Sequence, residues 1–115
     1  MKKFQIAKAA KDIREAGRII LAHGEVTGHA HEVVGLDVGH MPAAQFFEEP
    51  DGRRVLLVER PCQLVHQEHG FIALDPMKPE QYRQGDVLLH PLGPGAWEVI
   101  RQVEYTPQAI QQVAD

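Results

Sequence analysis

The sequence predicts a mainly β protein: a small barrel or β-sandwich with a short N-terminal helix and a short C-terminal helix. Three observations carry that expectation. About eight short runs are rich in β-branched and aromatic residues, Gly and Pro punctuate them at regular intervals, and no strand–helix–strand rhythm runs through the chain. With 115 residues there is room for one sizeable core, so residues 1–115 are read as a single domain.

The elements follow in order. Between Gln5 and Ala16, Ile6, Ala10 and Ile13 recur at helical spacing among charged residues, and Gly17 suits a helix end. Arg18–Val26 and His29–Val38 then read as a hairpin turning at Thr27-Gly28. A second hairpin joins Ala44–Glu49 to Arg53–Arg60 through Pro50-Asp51-Gly52, a turn in which each residue type has its usual place. Cys62–His66 and Gly70–Leu74 form two more strands around Gln67-Glu68-His69, and Asp86–Leu92 and Ala96–Tyr105 follow across Gly/Pro turns. In the last ten residues Thr106 suits a helix cap, Pro107 the first helical position, and Ile110 and Val113 one helical face.

Composition narrows the function. A net charge of −4 gives no basic field for a phosphate backbone, so nucleic acid is not expected as a partner. No apolar run approaches the roughly 20 residues that span a bilayer, and no membrane role is expected. Lys8, Lys11 and Asp12 interrupt the opening segment where an export signal needs an apolar stretch, which makes a cytoplasmic location the expectation. Cys62 is the only cysteine, so an internal disulfide and a multi-thiolate zinc site are excluded within one chain. It reads as a small buried apolar residue.

Seven histidines remain, and their spacing points to chemistry. Side chains two apart on a strand share a face, so His29 and His31 put two imidazoles side by side. His66 shares a face with Cys62 and Leu64, which directs it inward, and His69 follows within one tight turn. Divalent transition metals take three or four N/O ligands, so His29, His31, His66 and His69 supply a complete set. Glu25 and Glu68 lie near them and are the candidates for a catalytic base, a ligand or an acceptor for an imidazole N–H. Glu32 falls on the face opposite His31. His90 is the reserve ligand, whereas His23 and His40 read as structural or exposed. Gly24, Gly28 and Gly35 lack the strand-to-helix setting and the lysine of a phosphate-binding loop. Trp97, Val99, Arg101, Val103 and Tyr105 share one strand face, either as core or as the lining of a cavity.

Gly24-x4-His29-x-His31 resembles the first motif of the cupins, small β-barrels that hold a metal in the barrel mouth, and Gly85-Asp86 with Pro91-x-Gly93 resembles their second. The chain departs from the pattern at three points. Ala96 stands where the second motif has a histidine, the glutamate that follows the His-x-His is missing, and the first spacing is one residue short. The segments GEVTGHAHEV, LVHQEHGFIAL and RQVEYTPQAI are also similar to a group of small uncharacterised bacterial and phage-associated proteins, which carry no known activity. The cupin resemblance implies a metal in a barrel mouth, with His29 and His31 as paired ligands and His66 or His69 replacing the histidine missing at Ala96.

The functional expectation is therefore a domain that binds one divalent transition metal (Zn, Fe, Ni or Mn) and uses it to act on or bind a small molecule. The alternatives are a non-catalytic metal-binding or sensing module, and a metal-free interaction protein. A homodimer through an exposed strand edge is also expected, since a short barrel leaves edges that need covering.

Overall fold

The computed structural model describes residues 4–23 and 29–102. Among the described residues, ten strands form two antiparallel sheets: β1 (Lys11–Asp12), β2 (Ile19–His23), β3 (Ala30–Val34), β4 (Ala44–Glu48), β5 (Arg54–Val58), β6 (Cys62–His66), β7 (Gly70–Leu74), β8 (Tyr82–Gln84), β9 (Val87–Gly93) and β10 (Ala96–Arg101). The larger sheet runs β1-β4-β5-β10-β9-β8 and the smaller β2-β3-β6-β7. The two sheets are separate ladders, so the architecture is a β-sandwich and not a closed barrel.

Alternation along the strands builds the core. Phe46, Leu56, Leu89, Trp97 and Val99 point inward from the larger sheet, and Leu21, Val33, Cys62, Leu64 and Leu74 meet them from the smaller, all buried in one cluster. Trp97 is fully buried and still satisfies its indole N–H, which donates to the Glu80 carbonyl at 2.7 Å. The predicted turn at Pro50-Asp51-Gly52 joins β4 to β5. Gly52 takes a φ of 91°, and its N–H donates to the Glu49 carbonyl at 2.8 Å.

The helix predicted over Gln5–Ala16 does not form. Lys11 and Asp12 instead pair with Glu48 and Phe47 at the edge of the larger sheet, and the Ile13 N–H donates to the Phe46 carbonyl at 3.0 Å. A segment this short is marginal as an isolated helix, and the sheet edge offers it both backbone partners and burial for Ile13 against the core. Among the described residues there is no helix, and so none long and apolar enough to cross a membrane. The helix predicted from Thr106 lies outside the described residues, as does the Thr27-Gly28 turn. The strands on either side of that turn do pair: β2 and β3 are antiparallel, with Ile19 opposite Val33 and His23 opposite Ala30.

The free edge of β2 faces two arginines of the larger sheet. Arg54 donates to the Leu21 carbonyl at 3.0 Å, and Arg101 reaches the His23 carbonyl at 3.5 Å. These contacts tie the smaller sheet to the larger along one seam. Burial lowers the pKa of Arg54, and the charge of Arg101 adds to that, against the opposing pull of Glu48.

Candidate functional site

His31 on β3 and His66 at the end of β6 lie one step beyond the cross-strand pair Glu32–Val65, on the inward face. Their ring centres are 4.3 Å apart. His69, in the turn before β7, brings its ring to 4.6 Å from His66 and stacks parallel to His31 at 6.1 Å. His29 meets His66 edge-on at 6.1 Å. The four histidines singled out from their spacing thus stand together at one end of the sandwich. Among the described residues, no three His, Cys, Asp or Glu side chains converge closely enough to hold a metal ion as they stand.

The hydrogen-bond partners of each ring separate their roles. Gln84, at the end of β8, is buried between the sheets, and its Nε2 donates to the Leu64 and Gly70 carbonyls at 3.1 and 3.2 Å. Those two acceptors fix the amide, so its Oε1 must accept from His31 Nδ1, 2.8 Å away. His31 is only 4% exposed. Its second nitrogen, Nε2, lies 3.4 Å from Asp86 Oδ1. In the neutral ring that nitrogen is an acceptor facing an acceptor, an arrangement that calls for a proton or a cation between the two.

His29 is held in a similar way, with Nδ1 3.0 Å from Glu68 Oε1 and Nε2 left bare in the neutral ring. His66 is different. Its Nδ1 accepts the backbone N–H groups of Glu68 and His69 at 3.0 and 3.3 Å, so the neutral ring carries its proton on Nε2. As placed, His66 caps the turn that presents Glu68 and His69. Burial lowers its pKa, the neighbouring His31 and His69 push it further down, and Glu68 partly opposes them.

Asp86 completes the cluster from the larger sheet. Burial raises its pKa, but the hydrogen bond from Arg101 Nε at 2.8 Å and that residue's charge outweigh burial and hold the carboxyl below its ordinary value. Between Gln84 and Asp86, Gly85 adopts a φ of 59°, and a Cβ there would stand 3.0 Å from His69 Nε2 and 3.3 Å from His31 Cε1. A side chain there would be strained by that φ and would press the rings aside by a few tenths of an ångström.

The remaining sequence-predicted residues fall elsewhere. Glu25 lies outside the described residues. His90 is exposed, directly across from Glu98 on the outward face of the larger sheet, and does not join the cluster. His23 pairs with Glu15 at 2.9 Å, and His40 is exposed in the turn between Val38 and Met41. Cys62 is buried in the core, and burial pushes its thiol pKa up to about 11. Sequence reasoning missed Gln84 and Asp86 as partners of His31. The available signal was the Gly85-Asp86 turn, which the resemblance to the second cupin motif marked without revealing that it faces the histidines.

Fold and site together define a two-sheet β-sandwich with a histidine- and carboxylate-lined end. The chain belongs to the family described as a domain of unknown function (DUF8820), whose model matches residues 3–76. That span carries all four clustered histidines and Glu68, and it ends before Gln84, Gly85 and Asp86. No curated protein and no solved structure matches the chain.

Proposed function

We propose that this end of the sandwich binds one divalent transition metal, with His29, His31 and His69 as nitrogen donors, Asp86 as the oxygen donor, and a position left for a small molecule. The observation that carries the reading is His31. It is buried, its Nδ1 is committed to Gln84, and its bare Nε2 is aimed at a carboxylate. Metal-bound imidazoles characteristically give their other N–H to an oxygen acceptor, which fixes tautomer and orientation. Both His29 and His31 have such an acceptor, in Glu68 and Gln84.

The donor set also fits in kind. Imidazole and carboxylate suit Zn, Fe, Ni or Mn, and the thiol of Cys62 is buried apart with a raised pKa. Imidazoles sharing one ion at metal–nitrogen distances of about 2.0–2.1 Å have ring centres roughly 5 Å apart. Of the proposed donors, His31 and His69 have ring centres 6.1 Å apart, so these two rings would have to close by about an ångström to share an ion. His66 would set the turn and Glu68 would orient His29. A bound ion would supply Lewis acidity to a small-molecule ligand, and the protein's own part is to hold the donors and exclude solvent around His31. The resemblance to cupins supports the same reading.

A titration of tag-free protein with Co(II) or Zn(II), followed by calorimetry and by Co(II) absorption, tests it. The expected result is saturable binding near one equivalent per chain. The His29→Ala/His31→Ala double variant should weaken binding by more than about 100-fold, beyond the range for loss of outer partners alone. Equal binding by wild type and double variant would contradict the proposal. If a metal binds without any turnover of small molecules, the site is a non-catalytic metal-binding module.

A further inference from the structure

The four outermost strands of the two sheets are not equally protected. In the larger sheet, β1 has only two residues, both charged, and β8 has three with Arg83 among them. In the smaller sheet, Arg54 and Arg101 cover the free edge of β2. Short length, charge and coverage are the usual devices that stop sheet edges from pairing with other chains. The fourth edge, β7, has none of them. Its five residues, Gly-Phe-Ile-Ala-Leu, carry no charge, and the Gln84 bond to the Gly70 carbonyl comes from between the sheets and does not cover the outer edge.

We propose that β7 is the strand through which two copies of this chain pair, antiparallel and centred on Ile72. That register sets Phe71 opposite the partner's Ala73, and Ala73 opposite the partner's Phe71, so a large side chain meets a small one on both sides of the two-fold axis. Phe71 is 64% exposed, whereas Ile72 points the other way and packs against the core. Next to Ala73 on the same face is an open trough of about 510 Å³ whose lining includes Val34, Leu36, Pro61 and Gln63. Each Phe71 would rest over the mouth of the partner's trough.

Charge favours a second copy as the occupant. A chain with a net charge of −4 repels itself in general, but this edge contributes no charge. Glu32, on the same outer face, is already paired with Arg18 at 2.7 Å. The area sets the strength. A buried aromatic contributes about 150–250 Å². With Val34, Leu36 and Ala73, each copy buries a few hundred Å², below the roughly 800 Å² per partner of a stable specific complex. A concentration-dependent dimer is therefore expected.

Sedimentation of the full chain from micromolar to millimolar concentration should show a monomer–dimer equilibrium. Phe71→Lys and Ala73→Lys should each raise its dissociation constant at least tenfold without changing the circular dichroism spectrum. A Phe71→Cys/Ala73→Cys double variant should oxidise to a covalent dimer, while Val65→Cys, one strand further in, should not. A monomer at every concentration would overturn the proposal. So would a dimer that both lysine variants leave intact, since it would then form through another surface.

Discussion

Replacing Gln84 tests whether one amide ties the two sheets together and sets the state of the site. Gln84→Leu keeps the volume but removes three hydrogen bonds, leaving His31 Nδ1 and the Gly70 carbonyl without this partner, while the Leu64 carbonyl keeps its place in the ladder of the central strand β6. Each buried polar group left unsatisfied costs about 1–3 kcal/mol. Gly70 is exposed and its carbonyl can recruit water, so His31 Nδ1 is the buried group left unsatisfied, and a loss of about 1–3 kcal/mol is expected. In urea denaturation this is a large shift in midpoint with an unchanged slope. Nitrogen chemical shifts of His31 give a second readout. Nδ1 of the wild-type ring should stay protonated whatever Nε2 carries, and the variant ring should lose that preference. A loss below about 1 kcal/mol, with the tautomer unchanged, would refute the reasoning, because the amide would then bridge nothing of consequence.

Two further outcomes are expected. Gly85→Ala forces a side chain into a left-handed conformation at a cost of about 1–2 kcal/mol, and it pushes on His69 and His31, so metal affinity should fall more than tenfold in a Co(II) titration. Gly52→Ala, also left-handed but with nothing within 4 Å of the added carbon, should lose stability without losing metal affinity; equal affinities for the two variants would contradict the role given to Gly85. The second concerns pH in the presence of chelator. The His66 pKa is lowered by burial first and then by His31 and His69, so over that window the unfolded chain binds more protons than the folded one. The His66 contribution should be complete above about pH 6.5 and decline as the pH falls below it. His66→Asn, which keeps an acceptor for the turn, should flatten that part of the stability profile, and an unchanged profile would contradict the assignment.

Much of the β architecture was legible because alternation and turn chemistry agree locally. The Pro50-Asp51-Gly52 hairpin and the inward direction of Cys62, Leu64 and His66 follow from residue type and strand parity alone. The segment Gln5–Ala16 misled because Ile6, Ala10 and Ile13 satisfy a helical period, whereas the bond from Ile13 to Phe46 spans 33 positions and leaves no trace in local sequence. The same distinction runs through the site. His29, His31, His66 and His69 are close in the chain in two pairs, and register between adjacent strands brings the pairs together. Gln84 and Asp86 reach His31 across the gap between sheets, over 53 and 55 positions, and only the sandwich brings them there. Roles within the cluster depend on which nitrogen of each ring is engaged, and spacing carries no information about that.

The central claim is that the histidine end of the sandwich is a metal site built around His31. Its most direct test is elemental analysis of tag-free wild-type protein and His31→Ala, purified side by side and measured before and after mild chelation. The account predicts close to one equivalent of a single transition metal in the wild type and little in the variant. Absence of metal from both proteins, with none taken up on reconstitution, would contradict it.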